Sequence, residues 1–333
     1  FYTNLNKRGV TLNLETPDGR EIFKRLVKAA HFVIESYQPG YMESLGLGYP
    51  ELEKLNPAII MTSITPFGQS GPYAHYKVTD IILEAMGGLM RTFGDPDRAP
   101  VRISQPTMFL LSSLHAVTAS LMAHYHRQNT GEGQHVDVSC QDAIILALMV
   151  YTQNWDILRY NVKGQGGHLL QVRPPPLGAL RRQLVYAAKD GFVTGYIAGG
   201  AQAGQVMSSQ ALTQWANSFG YAMELRDYDW ARLDLGSVPQ EELSRVQDTL
   251  QAFLLTKTKA EIMAKGVEKA ILFVPANDAK DVTESPQLKS REFFVGVEHP
   301  ELGDTITYPG FSTKVSDMPC RVRHRAPLIG EHN

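Results

Sequence analysis

Cysteine is nearly absent: Cys140 and Cys320 are the only two in 333 residues, and they share no C-x-x-C spacing. Both read as reduced thiols in a cytoplasmic protein. An excess of one charge sign is missing too. The 32 Lys and Arg residues against 34 Asp and Glu leave no summed field that would draw in nucleic acid or an anionic membrane, although a local anion site stays open. No apolar run is clean enough to span a bilayer. The richest, Met108 to Tyr125, is interrupted by serines, a threonine and His115, and reads as a buried helix. Walker A and helix-opening G-x-G-x-x-G sequences are lacking, so phosphate binding by those routes has no support. Gly68-Gln69-Ser70-Gly71 lacks the glycine of a serine-hydrolase elbow, because Pro72 stands there, and reads as a turn. His124 and His126 are two apart, which a helix points in different directions, so no metal site is expected.

With 43% hydrophobic residues, the chain can bury one large core or two smaller ones. Gly9 to Leu14 alternates Val10, Leu12 and Leu14 with polar neighbours, predicting a half-buried strand. Thr16-Pro17 supplies a helix N-cap and first turn, followed by an apolar stripe of Ile22, Phe23, Leu26, Val27 and Ala30. Strands are predicted over Phe32 to Ser36, Ala58 to Ile64 and His135 to Ser139. Helices are predicted over Pro50 to Leu55, Val78 to Thr92, Thr107 to Arg127 and Gln141 to Tyr151. Alternating strands and helices predict a parallel, doubly wound α/β sheet. Composition shifts after Tyr160, where Gly164-Gln165-Gly166-Gly167 and Pro174-Pro175-Pro176 predict a linker. Val185 to Ala188 and Phe192 to Ile197 flank Lys189-Asp190-Gly191 as a hairpin. Helical segments at Val206 to Phe219, Glu241 to Leu255 and Ala260 to Lys269, and a strand at Ile271 to Val274, complete an α+β lobe. The opening at Phe1, with neither an initiator methionine nor a signal pattern, reads as a fragment of a longer polypeptide.

Several segments fall together in one order and spacing: Asn4 to Leu14, Glu-Ser-Tyr-Gln-Pro-Gly at 35–40, Leu45 to Leu47, Leu55-Asn56-Pro57, Phe67 to Tyr73, Thr130 to Gln134, Ser285 to Phe294, and Ala-Pro-Leu-Ile-Gly-Glu-His at 326–332. In these the chain resembles the class III CoA-transferases, the group of formyl-CoA transferase, carnitine and bile-acid CoA-transferases and α-methylacyl-CoA racemase. The resemblance implies a large α/β domain over 1–160, its first strands lying before residue 1. A linker follows at 161–184, then a small α+β domain at 185–295 and a return to the large domain at 296–333. It also implies an interlocked dimer. CoA or acyl-CoA would be a substrate, with no permanently bound cofactor. The matching contact positions are Leu12, Asn13, Leu14, Glu15, Ser36, Tyr37, Gln38, Ser44 and Lys77. Lys77 is a cation for a CoA phosphate, whereas Glu15 and Ser44 replace positions where a lysine and an arginine are frequent.

The larger departure is at the nucleophile. Transferases of this group attack the acyl-CoA thioester with an aspartate in the helix before T-G-x-G-Q. Counting back from Gly131 through Leu114-His115-Ala116 lands on Phe109, which cannot form an acyl anhydride. Ser104, Thr107 and Ser112 are nearby hydroxyls without a visible base, Asp142 is an acid the family does not use for the chemistry, and Thr79 stands where the racemase branch has histidine. The resemblance therefore implies a non-catalytic subunit whose partner is a paralogue carrying the aspartate, as in the branch acting on aromatic succinates such as benzylsuccinate. A homodimeric transferase with an unrecognised nucleophile and a CoA-binding scaffold without turnover stay open as alternatives.

Overall fold

The computed structural model describes residues 2–333, which divide into two compact units, Thr11–Gly166 and a second made of residues 2–10 with Gly167–Asn333. The first unit follows the alternation of its sequence. Helix α1 (Pro17–Ala29) leads to β1 (Phe32–Glu35), the short α2 (Tyr41–Ser44), α3 (Tyr49–Leu55) and β2 (Ile60–Thr65). Next come α4 (Asp80–Met86), α5 (Met108–Thr130), β3 (Gln134–Ser139), α6 (Cys140–Ala147) and α7 (Tyr151–Leu158). The three strands pair in parallel, in the order β1-β2-β3. Alternation along β2 assigns the two layers. Met61 joins Val27, Val33, Leu52 and Ile59 in a core beneath α1 and α3, whereas Thr62 faces the other way and hydrogen-bonds Ser120 of α5 at 2.7 Å. Helices thus cover both faces of the sheet, as expected for a doubly wound fold.

The T-G-x-G-Q turn has a steric explanation. Gly131 ends α5 with φ +82°, and a β-carbon on Gly133 would lie 1.9 Å from the Ile59 carbonyl oxygen. Only glycine permits that conformation and that approach.

Three expectations for this unit are corrected. Residues 9–14 form no strand. Asn13 instead accepts bonds on its carbonyl from the Thr16 N–H and hydroxyl, so this stretch is the entry to α1. The helix expected over 78–92 is broken: α4 stops at Met86, and a 3-10 turn, Leu89–Thr92, follows Gly87-Gly88. The apolar helix over 108–125 is buried along one stripe only. That stripe is Met108, Ser112, Ala116, Ser120, Ala123 and Arg127, mostly small residues that let α5 approach the sheet closely. Its larger apolar side chains point outward.

The second unit begins with an antiparallel ribbon, β4 (His168–Val172) and β5 (Ala179–Gln183), inside the stretch expected as a linker. The expected hairpin is β6 (Val185–Ala188) with β7 (Gly191–Gly195). Helices α8 (Ala203–Asn217), α9 (Gln240–Leu254) and α10 (Lys259–Lys269) follow, and β8 (Phe273–Ala276) pairs with β7. Short helices α11 (Ala279–Glu284) and α12 (Pro286–Ser290) lead to a second hairpin, β9 (Phe294–His299) and β10 (Asp304–Pro309). The core gathers Tyr186, Val193, Leu212, Leu243, Leu250, Phe253, Ile262 and Phe273, each apolar side chain contributing about 1.5–3 kcal/mol on full burial.

Three glutamines of α9 bond the backbone of β5 and β6. Gln240 accepts from Arg181 N at 2.7 Å and donates to its carbonyl at 2.9 Å. Gln251 does the same at Ala187, at 3.0 and 2.9 Å. Between them, Gln247 accepts from Gln183 N and donates to the Tyr186 hydroxyl. Burial pushes that phenol well above its ordinary range.

Candidate functional site

The loops after β1 and β2, and the N-termini of α1 and α5, are brought by a parallel sheet to one edge, at the carboxyl ends of the strands. That is where open α/β folds bind ligands. The segments 12–15, 36–38, Lys77 and Phe109 all belong to this edge. No hydrogen bond or ion pair joins these four groups to one another among the described residues.

Each group is held from behind. At 12–15, the Asn13 side chain accepts from Glu15 N at 2.9 Å, and the Glu15 carbonyl accepts from Arg20 Nη1 at 3.1 Å. The Glu15 side chain is left exposed. After β1, Glu35 accepts from Tyr37 N at 2.6 Å, the Tyr37 ring lies 4.8 Å from that of Tyr41, and the Gln38 carbonyl accepts from Tyr41 N. Ser44 turns its hydroxyl back onto the Tyr41 carbonyl at 2.7 Å and offers no charge. Lys77 is exposed and has no ion-pair partner among the described residues, just after an aromatic cluster of Phe67, Tyr73 and Tyr76.

Phe109 is the second residue of α5 and 45% exposed. Its neighbour Met108 is fully buried against Leu83, Cys140 and Ile144. Helical geometry therefore directs the side chain at 109 away from that cluster. Two acids that the sequence reading did not single out fix the approach to this helix. Asp80 accepts from Met108 N at 3.0 Å, and the buried Glu84, one turn further along α4, accepts from Ile103 N at 2.9 Å. Their signal is two acids at i, i+4 on a short, otherwise apolar helix. Thr107, the N-cap residue, contributes no side-chain cap, and its hydroxyl is sealed without a partner.

The neighbouring hydroxyls have no base. Ser112 is buried and donates to the Met108 carbonyl at 2.8 Å. Neither Ser104 nor Thr107 bonds a histidine or carboxylate among the described residues. Asp142 is exposed at the start of α6, where its N–H bonds Ser139. Cys140 lies buried next to Ser112, and burial raises its thiol pKa, which disfavours a thiolate. His124 bonds Arg127 at 2.6 Å, and among the described residues no three or more His, Cys, Asp or Glu side chains gather as a metal site.

The outward face of α5 carries an apolar stripe from Leu110 to Tyr125. Leu110, Leu114 (60% exposed), Val117, Leu121 and Tyr125 (71% exposed) follow helical spacing, and Leu146, Met149 and Ile157 of the following helical region are exposed too. A contiguous face of this kind marks an interaction surface. No helix among the described residues is long and apolar enough to cross a membrane.

The model of CoA-transferase family III matches residues 1–333. The BbsE subunit of succinyl-CoA:(R)-benzylsuccinate CoA-transferase from Thauera aromatica is 31% identical over all of this chain and 78% of its own length. Succinyl-CoA--D-citramalate CoA-transferase of Chloroflexus aurantiacus is 29% identical, over 98% of this chain and 77% of the relative. A CAIB/BAIF family protein from Brucella suis superimposes with a TM-score of 0.80 at 26% identity, covering 99% of this chain and 80% of that one. A buried Met108, an outward residue at 109 and a glycine-built turn after α5 thus sit in a chain that belongs to CoA-transferase family III.

Proposed function

We propose that the chain is the non-catalytic subunit of a heteromeric class III CoA-transferase that moves CoA between carboxylic acids. The observation that carries this reading is Phe109, a side chain without nucleophilic chemistry at an outward position of a firmly held helix start. The partner is a paralogue with aspartate at the equivalent position, and the two chains interlock. In that assembly residues 1–160 and 296–333 form the large domain and 185–295 the small one. The apolar outer face of α5 supports a macromolecular partner, since large apolar side chains left in water favour association. Acyl-CoA would lie against Leu12 to Glu15, Ser36 to Gln38 and Lys77, held more weakly than in relatives because Glu15 and Ser44 bring no cation.

Relatives named for succinyl-CoA with benzylsuccinate, D-citramalate and L-malate support a succinyl-CoA donor and a dicarboxylic acceptor such as an aromatic succinate. The complex is read as cytoplasmic. Asp80 and Glu84 are engaged by backbone N–H groups, which argues against either serving as a relocated nucleophile. The test is to purify the chain alone and with its paralogue, and to follow CoA transfer from succinyl-CoA. Activity is expected only for the pair, and full transfer by the lone chain overturns the proposal.

A further inference from the structure

The second unit holds a buried cation without a counter-charge. Arg182 of β5 is 8% exposed. Register and alternation place it on the face of the ribbon shared with Leu180 and, across the ladder, Leu169 and Gln171. Its Nη1 donates to Gln171 Oε1 at 3.2 Å, and its guanidinium carbon lies 5.5 Å from the centroid of the Tyr196 ring. No carboxylate pairs with it among the described residues. Burial pushes its pKa down, the direction expected of an uncompensated charge, although a guanidinium keeps its proton.

The buried Arg173 and the half-buried Arg325 of this unit differ. Arg173 donates to the carbonyls of Val238, Leu177 and Gly178, and Arg325 pairs with Glu301 and Glu331. Those two are satisfied within the chain. Arg182 is not: among the described residues its remaining N–H groups have no protein acceptor, yet none is sealed from solvent. A buried charge left unpaired is costly for folding, so a compensating role in recognition is the physical expectation.

We infer that Arg182, with Gln171 and Tyr196 beside it, forms a carboxylate-binding site for a small dicarboxylic acid. The guanidinium fork matches a carboxylate in two parallel hydrogen bonds. Tyr196 packs against the guanidinium and Gln171 holds one end of it, leaving the other donors free. The substrate class rests on the function proposed above, but the site itself rests on this geometry alone.

Calorimetric titration with succinate and with butyrate, at equal ionic strength, tests the site on the full chain in the assembly in which it purifies. Succinate is expected to bind about 10- to 100-fold more tightly than butyrate, the range of a charge-assisted hydrogen-bonded pair. Arg182→Met removes that preference and Arg182→Lys keeps only part of it. The urea midpoint of Arg182→Met stays level or rises, because the uncompensated charge is gone. Arg182→Gln gives the same readout if the methionine variant does not fold. Equal binding of the two acids by the unaltered chain, a succinate preference that survives in Arg182→Met, or failure of both neutral variants to fold overturns the inference. The CoA-transfer assay is read separately, so failure of the proposed function leaves this result intact.

Discussion

Replacing Phe109 by aspartate tests the register on which the functional reading depends. With 45% of the residue exposed, about half the apolar burial of a phenylalanine is lost, about 1–1.5 kcal/mol. An aspartate at the second position of α5 regains about 0.3–1 kcal/mol from the helix dipole. The net cost is therefore about 0–1 kcal/mol. A shift of one residue would behave differently: Met108 is fully buried, and an aspartate there creates a cavity and strands a charge, a loss of about 3–5 kcal/mol. Urea unfolding of Phe109→Asp and Met108→Asp is expected to show that contrast. Phe109→Asp is then incubated with succinyl-CoA, trapped with hydroxylamine and mapped by peptide mass. The label is expected at residue 109, with a yield that rises when Glu15→Lys and Ser44→Arg restore two cations for the CoA phosphates. A loss above about 3 kcal/mol for Phe109→Asp, by the core-burial scale, or a label on another residue, refutes the register.

The outer face of α5 predicts an assembly defect without a folding defect: Leu114→Glu with Leu121→Glu should leave the chain's circular dichroism unchanged and abolish co-sedimentation with the paralogue in analytical ultracentrifugation. Acid should loosen the C-terminal segment. The Arg325 hydrogen bond draws the Glu331 carboxyl down to about 2, and Glu301 is lowered by the hydrogen bond from His299 and by Arg325. Depressed carboxylates stabilise the fold above their ordinary range, and that contribution is lost as pH falls from about 4.5 towards 2. The protection of the Leu328 amide, whose N–H donates to Glu331 at 2.7 Å, should fall over that window once exchange is corrected for its intrinsic pH dependence, and Glu331→Gln should abolish the pH step. Gln251→Ala removes both bonds to Ala187 and should cost about 1–3 kcal/mol in urea.

Much of the first unit was legible because its strands and helices differ in hydrophobic period. The three strands and the approximate limits of α1, α3 and α5 follow from that pattern. What misled was amphiphilicity of an unusual kind. In α5 the residues facing the sheet are Ser112, Ala116, Ser120 and Ala123, and those facing outward are Leu114, Leu121 and Tyr125. Hydrophobicity alone assigns the outward stripe to the core, but size decides which stripe can approach a sheet. Residues 9–14 show the reverse error, since alternation predicts a strand where no neighbouring strand pairs. The β9–β10 hairpin, turning at 300–303, follows the Ser285 to Phe294 segment and lies in a stretch for which no strands were predicted. Of the candidate site, Phe109 and Lys77 could be named from the sequence. Asp80, Glu84 and Arg182 could not, because their significance lies in which backbone or side-chain groups they meet, and in Arg182's case in which they do not.

The glutamines of α9 have a consequence for how the second unit avoids self-association. An exposed strand margin invites another chain to add to it. Here Gln240 and Gln251 each present an amide to one strand residue as a neighbouring strand's peptide would, so the margin is occupied by side chains that cannot propagate a sheet. Being uncharged, this closure does not titrate and is little screened by salt. The edge should remain blocked at low pH and high ionic strength, conditions that dissolve the ion pairs at the chain's C-terminal end.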